Sequence, residues 1–225
     1  MTMKRLTLFD LDGTLSPTDS DHAFGDFLVR VGWVDSDDFK RRNDAFYAQY
    51  LDGTLDLEAY VDFATSAWRE RHPDEALAMR ERFMREEMAP SLRPSALALV
   101  KQHQDAGDLV AIVTATNEFV TRPIADAFGV AELLALELHR DEQGRVTGGI
   151  HGVPTFREGK IRRVLDWLEQ REHRWDQFER ITFYSDSTND LPLLERVSHP
   201  VATNPGPALE EIARQRGWPI LKLFE

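Results

Sequence analysis

Residues 6–15 read LTLFDLDGTL, a short apolar run that ends in Asp10 and Asp12 and passes at once into Gly13 and Thr14. An apolar segment of this length suits a buried strand of a parallel sheet. In open α/β sheets ligands bind beyond the carboxyl ends of the strands, which is where the two aspartates are expected. Two carboxylates one residue apart, with a glycine to let the chain turn, can share a hard cation and keep one oxygen free for chemistry. Alone, the stretch reads equally well as a polar loop after a strand. The residues further along decide between the two.

Beyond this strand, residues 16–90 show helical periodicity and no clear strand. Phe24, Phe27, Leu28 and Val31 recur at spacings of three and four, and Gly32 closes that helix. Phe39, Phe46, Tyr47 and Tyr50 mark a second helix ended by Asp52-Gly53, and a third runs from about Leu57 to Trp68. A fourth spans about Pro73 to Met88, with Pro73 suited to its first position and Pro90 to its exit. The spacing therefore predicts a four-helix insertion, residues 16–90, placed after the first strand of a core formed by 1–15 and 91–225.

From Ser91 onward helices and strands alternate. Helices are expected at Pro94–Ala106, Asn117–Phe128, Gly159–Glu172, from Asp190, and at Pro207–Arg216. Strands are expected at Leu109–Val113, Leu133–Leu138, Ile181–Tyr184 and near Val201, with a hairpin or flap over 139–152. Such alternation indicates an α/β fold, a Rossmann-like parallel sheet covered by helices on both faces. The first strand delivers Asp10 and Asp12, and the second delivers Thr114, followed by Thr116 and Asn117 in the turn. The Ile181 strand delivers SDSTND at 185–190, and Lys160 opens the helix that leads into it. In a parallel sheet all these ends share one edge, so residues far apart in the chain converge.

The chemistry of that set is phosphoryl transfer. Asp10, Asp186 and Asp190 offer anionic oxygens to a hard divalent cation, Mg²⁺ above all, which keeps waters and binds substrate phosphate. With no cysteine, and no histidine pair at ligand spacing beside these acids, zinc is disfavoured. Lys160, the Thr114 hydroxyl and backbone N–H groups at helix starts can hold phosphoryl oxygens. A carboxylate not consumed by the metal can attack phosphorus, and a second one can protonate the leaving oxygen and then activate water.

DLDGT at 10–14, IVTAT at 112–116, the lysine of EGK at 158–160 and SDSTND at 185–190 resemble, in order and spacing, the four motifs of the haloacid dehalogenase superfamily. The helical insertion resembles that superfamily's cap, and the chain is most similar to its phosphoserine phosphatase-like subgroup. The resemblance implies Asp10 as nucleophile and Asp12 as acid/base and backbone metal ligand. It also implies Thr114, Ala115 and Lys160 as phosphoryl binders, Asp186 as metal ligand, and Asn189 and Asp190 as support for the metal and Lys160. It implies a substrate role for an acid near Asp19, which would bind an amino group; the same residue also reads as the N-cap of the first inserted helix. An amino-bearing phosphate ester such as phosphoserine or histidinol phosphate is thereby expected. Phosphoserine would also need a cation for its carboxylate, for which Arg41 and Arg42 are candidates.

Composition bounds the alternatives. The net charge of −12 argues against nucleic acid or an anionic membrane as partner and favours a small phosphorylated metabolite drawn in by local positive charge. No run approaches the roughly 18 apolar residues of a membrane span, and the start of the chain lacks a signal-peptide core, so a cytoplasmic enzyme is expected. Read as a calcium loop, DLDGTL would carry Leu15 where glycine is needed and Asp21 where glutamate is needed. Read as a P-loop, Gly159-Lys160 would need glycine at Pro154. The histidines are scattered, with His22 and His151 the two placed to line a site, and a structural or solvated role is favoured for each. A phosphotransferase or mutase on the same core, and a catalytically silent binding module, are the rival readings. The sequence leaves the oligomeric state open.

Overall fold

The computed structural model describes residues 4–224. The chain runs β1 (Lys4–Phe9), α1 (Ser20–Arg30), α2 (Ser36–Asp52), α3 (Leu57–Ser66), α4 (Pro73–Phe83) and, past one wide turn, α5 (Ala89–Ser91). It continues α6 (Pro94–Asp105), β2 (Leu109–Asn117), α7 (Glu118–Ala127), β3 (Glu132–Leu136), β4 (Leu138–Arg140), β5 (Val146–Ile150) and α8 (Glu158–Gln170). Then follow β6 (Phe178–Ser185), α9 (Leu191–Arg196), β7 (His199–Thr203), α10 (Pro207–Arg216) and β8 (Ile220–Leu221). Among the described residues, no helix is long and apolar enough to cross a membrane.

Six strands form one sheet in the order β3-β2-β1-β6-β7-β8, every neighbouring pair parallel. Crossover helices cover both faces, as parallel strands require. Strand alternation divides the core accordingly: Leu8, Ala111, Val113 and Phe183 are buried on one face, and Phe9, Ile112 and Tyr184 on the other. This is the expected α/β, Rossmann-like architecture, and it seats β1 centrally between β2 and β6. The three strand ends that carry the polar motifs are thus adjacent.

The helices from Ser20 to Ser91 contribute no strand among the described residues. Their inner side chains continue the Phe9 face of the core: Trp68 stacks on Phe119 of α7 at 4.1 Å between ring centroids, and Phe24 meets Phe83 at 5.0 Å. Stacked and tilted aromatic pairs of this kind add about 1 kcal/mol beyond area burial.

The structure departs from the sequence reading at four places. The fourth helix does not exit at Pro90; it opens into a π turn at Met84–Met88 and carries on through Ala89–Ser91, leaving only at Leu92. Proline has no N–H to close the ordinary helical bond, and a widened turn is one way to pass it. β2 runs on through Thr114 to Asn117 because Asn117 pairs with Leu136 of β3 beyond a register irregularity. The single strand expected over Leu133–Leu138 is two: the Leu138 amide is taken by the Glu118 carboxylate at 3.0 Å, and the chain turns into the β4–β5 hairpin. β8, a short edge strand, gave no sequence signal of its own.

Candidate active site

β1 ends one residue before Asp10, whose amide donates to the Tyr184 carbonyl of β6 at 2.9 Å. The chain then folds tightly: Leu15 and Ser16 amides both return to the Leu11 carbonyl, and the Gly13 amide donates to Ser16. Gly13 is needed here twice over. Its φ of +77° is in the left-handed region, and a Cβ would lie 2.2 Å from Asp186 Oδ2. Asp186 therefore packs directly against the turn that carries Asp10 and Asp12. The Thr14 hydroxyl reaches both acids, at 3.2 Å from Asp10 Oδ2 and 3.3 Å from Asp186 Oδ1.

Lys160 sits in the first turn of α8, which can start close to the preceding loop because position 159 has no side chain. A Cβ on Gly159 would be 2.0 Å from the Pro154 carbonyl. The lysine is 2% exposed and donates to Asp10 Oδ1 at 2.8 Å and to Asp190 at 2.7 Å. Asp190 also accepts from the Ser185 hydroxyl at 2.7 Å, so its orientation is fixed from two sides. Asp12 accepts from the Ser20 amide at 2.9 Å and from the Thr116 hydroxyl at 2.8 Å. Thr114 and Ala115 line the cavity in front of these acids.

Burial dominates the electrostatics. It pushes Asp10 up to about 7 against the pull of Lys160, and pushes Asp12 up to about 7 with help from the charge of Asp19. Asp186 is raised well above the ordinary carboxylate range by burial and then by Asp10 and Asp190. Burial alone would lower Lys160, but Asp10 and Asp190 outweigh it and hold the ammonium form. One lysine thus faces four acids. Their oxygens, with no nitrogen or sulfur donor among them, form the kind of donor set that suits a hard divalent cation. A second acidic group, His22, Asp26 and Asp44, has ligand atoms within 4.8 Å of one another, but Lys40 already sits 3.4 Å from Asp26 and 3.1 Å from Asp44.

The cavity extends from Asp10 toward α1, α2 and α3, and encloses about 530 Å³ including the solvent at its mouth. Its far wall holds Asp19, Asp21, His22, Phe46, Tyr47, Tyr50, Tyr60 and Phe156. Asp19 caps α1, accepting from the His22 amide at 2.9 Å. Asp21, in the first turn of the same helix, accepts from Asn117 Nδ2 at 3.2 Å and from the Tyr60 hydroxyl. Burial raises each of these two acids to about 6.

A sequence profile of haloacid dehalogenase-like hydrolases matches residues 7–195. The chain belongs to this family. A histidinol-phosphatase of Neisseria meningitidis is 40% identical over 219 residues, covering 97% of this chain and 99% of its own. A phosphoserine phosphatase of Mycobacterium tuberculosis is 31% identical over 215 residues, covering 94% of this chain and 68% of its own. Among solved structures, a protein of unknown function from Bordetella pertussis superposes with a TM-score of 0.94 at 48% identity, over 99% of this chain and 100% of its own. A substrate-bound phosphoserine phosphatase superposes with a TM-score of 0.69 at 16% identity, over 98% and 94%, a likeness of fold. Within the haloacid dehalogenase-like family this chain is a phosphatase.

The strand ends and the start of α8 bring Asp10, Asp12, Thr114, Lys160, Asp186 and Asp190 together. Asn189 stands apart from them: its amide donates to the Tyr50 carbonyl at 3.2 Å, and its oxygen accepts from Arg157 at 3.4 Å. Arg41 and Arg42 also stand outside the cavity. Arg41 pairs with Asp38, and Arg42 lies over the Phe63 ring at 4.6 Å. His151 is exposed, whereas His22 lines the cavity with its ring stacked 4.5 Å from Tyr47.

Several residues of the site gave no sequence signal. Tyr60 is one aromatic among many in a helical segment. Arg157 has φ +51°, rare for a residue with a side chain, and its guanidinium binds the Gly53 carbonyl at the end of α2 as well as Asn189. Asn204 ties the first motif from behind, donating to the carbonyls of Gly13 and Thr14 at 3.0 and 3.1 Å. Its φ of +45° was the one available hint, since asparagine tolerates that region, but only the fold reveals the angle.

Proposed function

We propose that this chain is a Mg²⁺-dependent phosphatase of a small amino-bearing phosphomonoester, histidinol phosphate, acting through an aspartyl-phosphate on Asp10. The observation that carries the substrate reading is the far wall of the cavity. It presents two carboxylates and several aromatic rings, and no lysine or arginine is among its lining residues. A substrate carboxylate, as in phosphoserine, would meet two acids there and no lysine or arginine; an amine and a flat ring meet complementary groups. The 40% identical histidinol-phosphatase, matched over nearly its full length, supports the same choice.

In this reading residues 16–90 act as a cap over a core of 1–15 and 91–225. Asp10, Asp186 and the backbone at Asp12 would hold the cation, with Asp190 supporting from behind, while Asn189 ties α2 to this edge of the core through the Tyr50 carbonyl. When bound, Mg²⁺ offsets the negative charge of the phosphoryl oxygens so that a carboxylate can approach them. Lys160 and the Thr114 hydroxyl, with the Ala115 amide, hold the remaining phosphoryl oxygens. A carboxylate oxygen of Asp10 attacks phosphorus, the ester P–O bond breaks, and the departing oxygen takes a proton from Asp12. Asp12, raised to about 7, has the protonated form available near neutral pH that this step needs. Asp12 then takes a proton from a water that attacks the phosphorus. The Asp10–phosphorus bond breaks, inorganic phosphate leaves, and Asp10 is regenerated. Asp19 receives the substrate's amino group with the oxygen that does not cap α1.

Phosphate release from histidinol phosphate, phosphoserine, phosphoethanolamine and an aryl phosphate tests this directly. Histidinol phosphate should give the highest kcat/KM, and all turnover should vanish with chelator and return with Mg²⁺. A preference for phosphoserine overturns the substrate reading, and phosphoryl transfer to another acceptor without phosphate release would favour a mutase.

A further inference from the structure

Asp21 has no part in the chemistry above, yet it is 8% exposed and lines the same cavity. A carboxylate is kept in such a place at a cost, because burial disfavours the ion. Two neutral groups hold it, the Asn117 amide from the end of β2 and the Tyr60 hydroxyl from α3. Each of these is itself fixed: Asn117 caps α7 through the Val120 amide at 3.2 Å, and the Tyr60 ring packs 5.4 Å from Phe46. No lysine or arginine pairs with Asp21 among the described residues, and the charge of the neighbouring His22 favours its ionised form. The carboxylate is thus aimed by a rigid frame and left with acceptor capacity toward the cavity. Beside it stand the Tyr47 and His22 rings, stacked on one another, and Phe46.

We propose that Asp21, positioned by Tyr60 and Asn117, is a second recognition point of the site and accepts a hydrogen bond from a ring N–H of the substrate's leaving group. The substrate class is a phosphate ester bearing both an amine and a flat, N–H-bearing heterocycle. This rests on the phosphatase reading and adds a division of labour within it. Asp19 takes the amine, Asp21 takes the ring nitrogen, and the surrounding aromatic side chains take its faces.

The test is a ratio. For wild type, Asp21→Asn and Tyr60→Phe, kcat/KM is measured for histidinol phosphate and for phosphoethanolamine, which has the amine and no ring. A hydrogen bond to a charged group is worth about 1.5–3 kcal/mol, so Asp21→Asn should lower the ratio of histidinol phosphate to phosphoethanolamine on the order of tenfold to a hundredfold, mainly through KM. Tyr60→Phe keeps the acid and loosens its frame, and should lower the ratio in the same direction by less. An equal fall on both substrates means Asp21 only supports the fold and overturns the inference while leaving the phosphatase reading intact. Wild-type protein that fails to turn over histidinol phosphate overturns the reading and the inference with it.

Discussion

Two groups of carboxylates face each other across one cavity, and they are built differently. At the strand ends, Asp10 and Asp190 share Lys160 at 2.7–2.8 Å, and Thr14 bridges Asp10 to Asp186. Across the cavity, Asp19 and Asp21 are held by two backbone amides, a carboxamide and a phenol, all neutral. The first group has the Lys160 ammonium fixed between two of its members; the second has no lysine or arginine among its partners, only the charge of His22 nearby. In the proposed reading the cavity therefore has a phosphoryl pole, set by the sheet, and a leaving-group pole, set by α1 and α3. On that reading, chemistry common to every phosphate ester belongs to the first and discrimination among esters to the second.

Substitutions at the two poles should fail in different ways. Asp10→Asn removes the proposed nucleophile and should lower phosphate release by ~10³-fold or more on every ester alike, with the folded state retained by circular dichroism. Lys160→Ala leaves Asp10 and Asp190 buried without their cation and should destabilise the fold by about 3–5 kcal/mol in urea unfolding, besides abolishing turnover. If the poles are as distinct as their partners suggest, Asp19→Asn behaves otherwise. Asparagine still caps α1, so stability should change little, while KM for histidinol phosphate rises on the order of tenfold and that for an aryl phosphate moves far less.

A pH measurement sharpens the same contrast. Asp10 and Asp12 at about 7, and Asp19 and Asp21 at about 6, all lie above their unfolded value of 3.8. In the window from 3.8 to about 7 the folded state therefore holds more protons than the unfolded chain, and these groups lower stability as pH rises. Chelator-treated protein should accordingly gain melting temperature as pH falls from about 8 toward 5. Asp21→Asn should flatten that slope, and Mg²⁺ should raise the melting temperature chiefly at the alkaline end. The smallest effect is expected at Arg157. Arg157→Ala frees the end of α2 from the core and should lower kcat/KM for histidinol phosphate by about tenfold at most, with little change in unfolding free energy.

The phosphoryl pole was legible residue by residue because each of its members follows an apolar strand or opens a helix. Asp10, Thr114 and Asp186 each follow a β-branched or aromatic run, and Lys160 follows a glycine that only a close approach explains. Asp19 was legible as an acid at a helix start, and the structure shows it in that role. Tyr60 and Arg157 were not legible, since nothing in LEAYVDFATS or TFREGK says which side chain turns inward. Asn189 was legible as a member of SDSTND but not in its direction: its side chain reaches α2 and Arg157 instead of the acids. The π turn before Pro90 and the split between β3 and β4 escaped for a related reason. Each answers to a partner elsewhere in the chain or to a backbone bond that proline cannot make.

By itself the sequence determined the order of elements, the sheet's parallel sense and the set of polar residues that meets at the strand ends. Apolar periodicity and strand-end chemistry are local properties that survive in one dimension. The tertiary structure decided which acids share Lys160 and which do not. That division depends on distances of about 3 Å between residues 150 and more positions apart, such as Lys160 and Asp10 or Thr14 and Asp186. The packing of α8 on the sheet fixes the first set and that of α1 and α3 against the strand ends the second, and burial removes the solvent that would otherwise make every carboxylate alike.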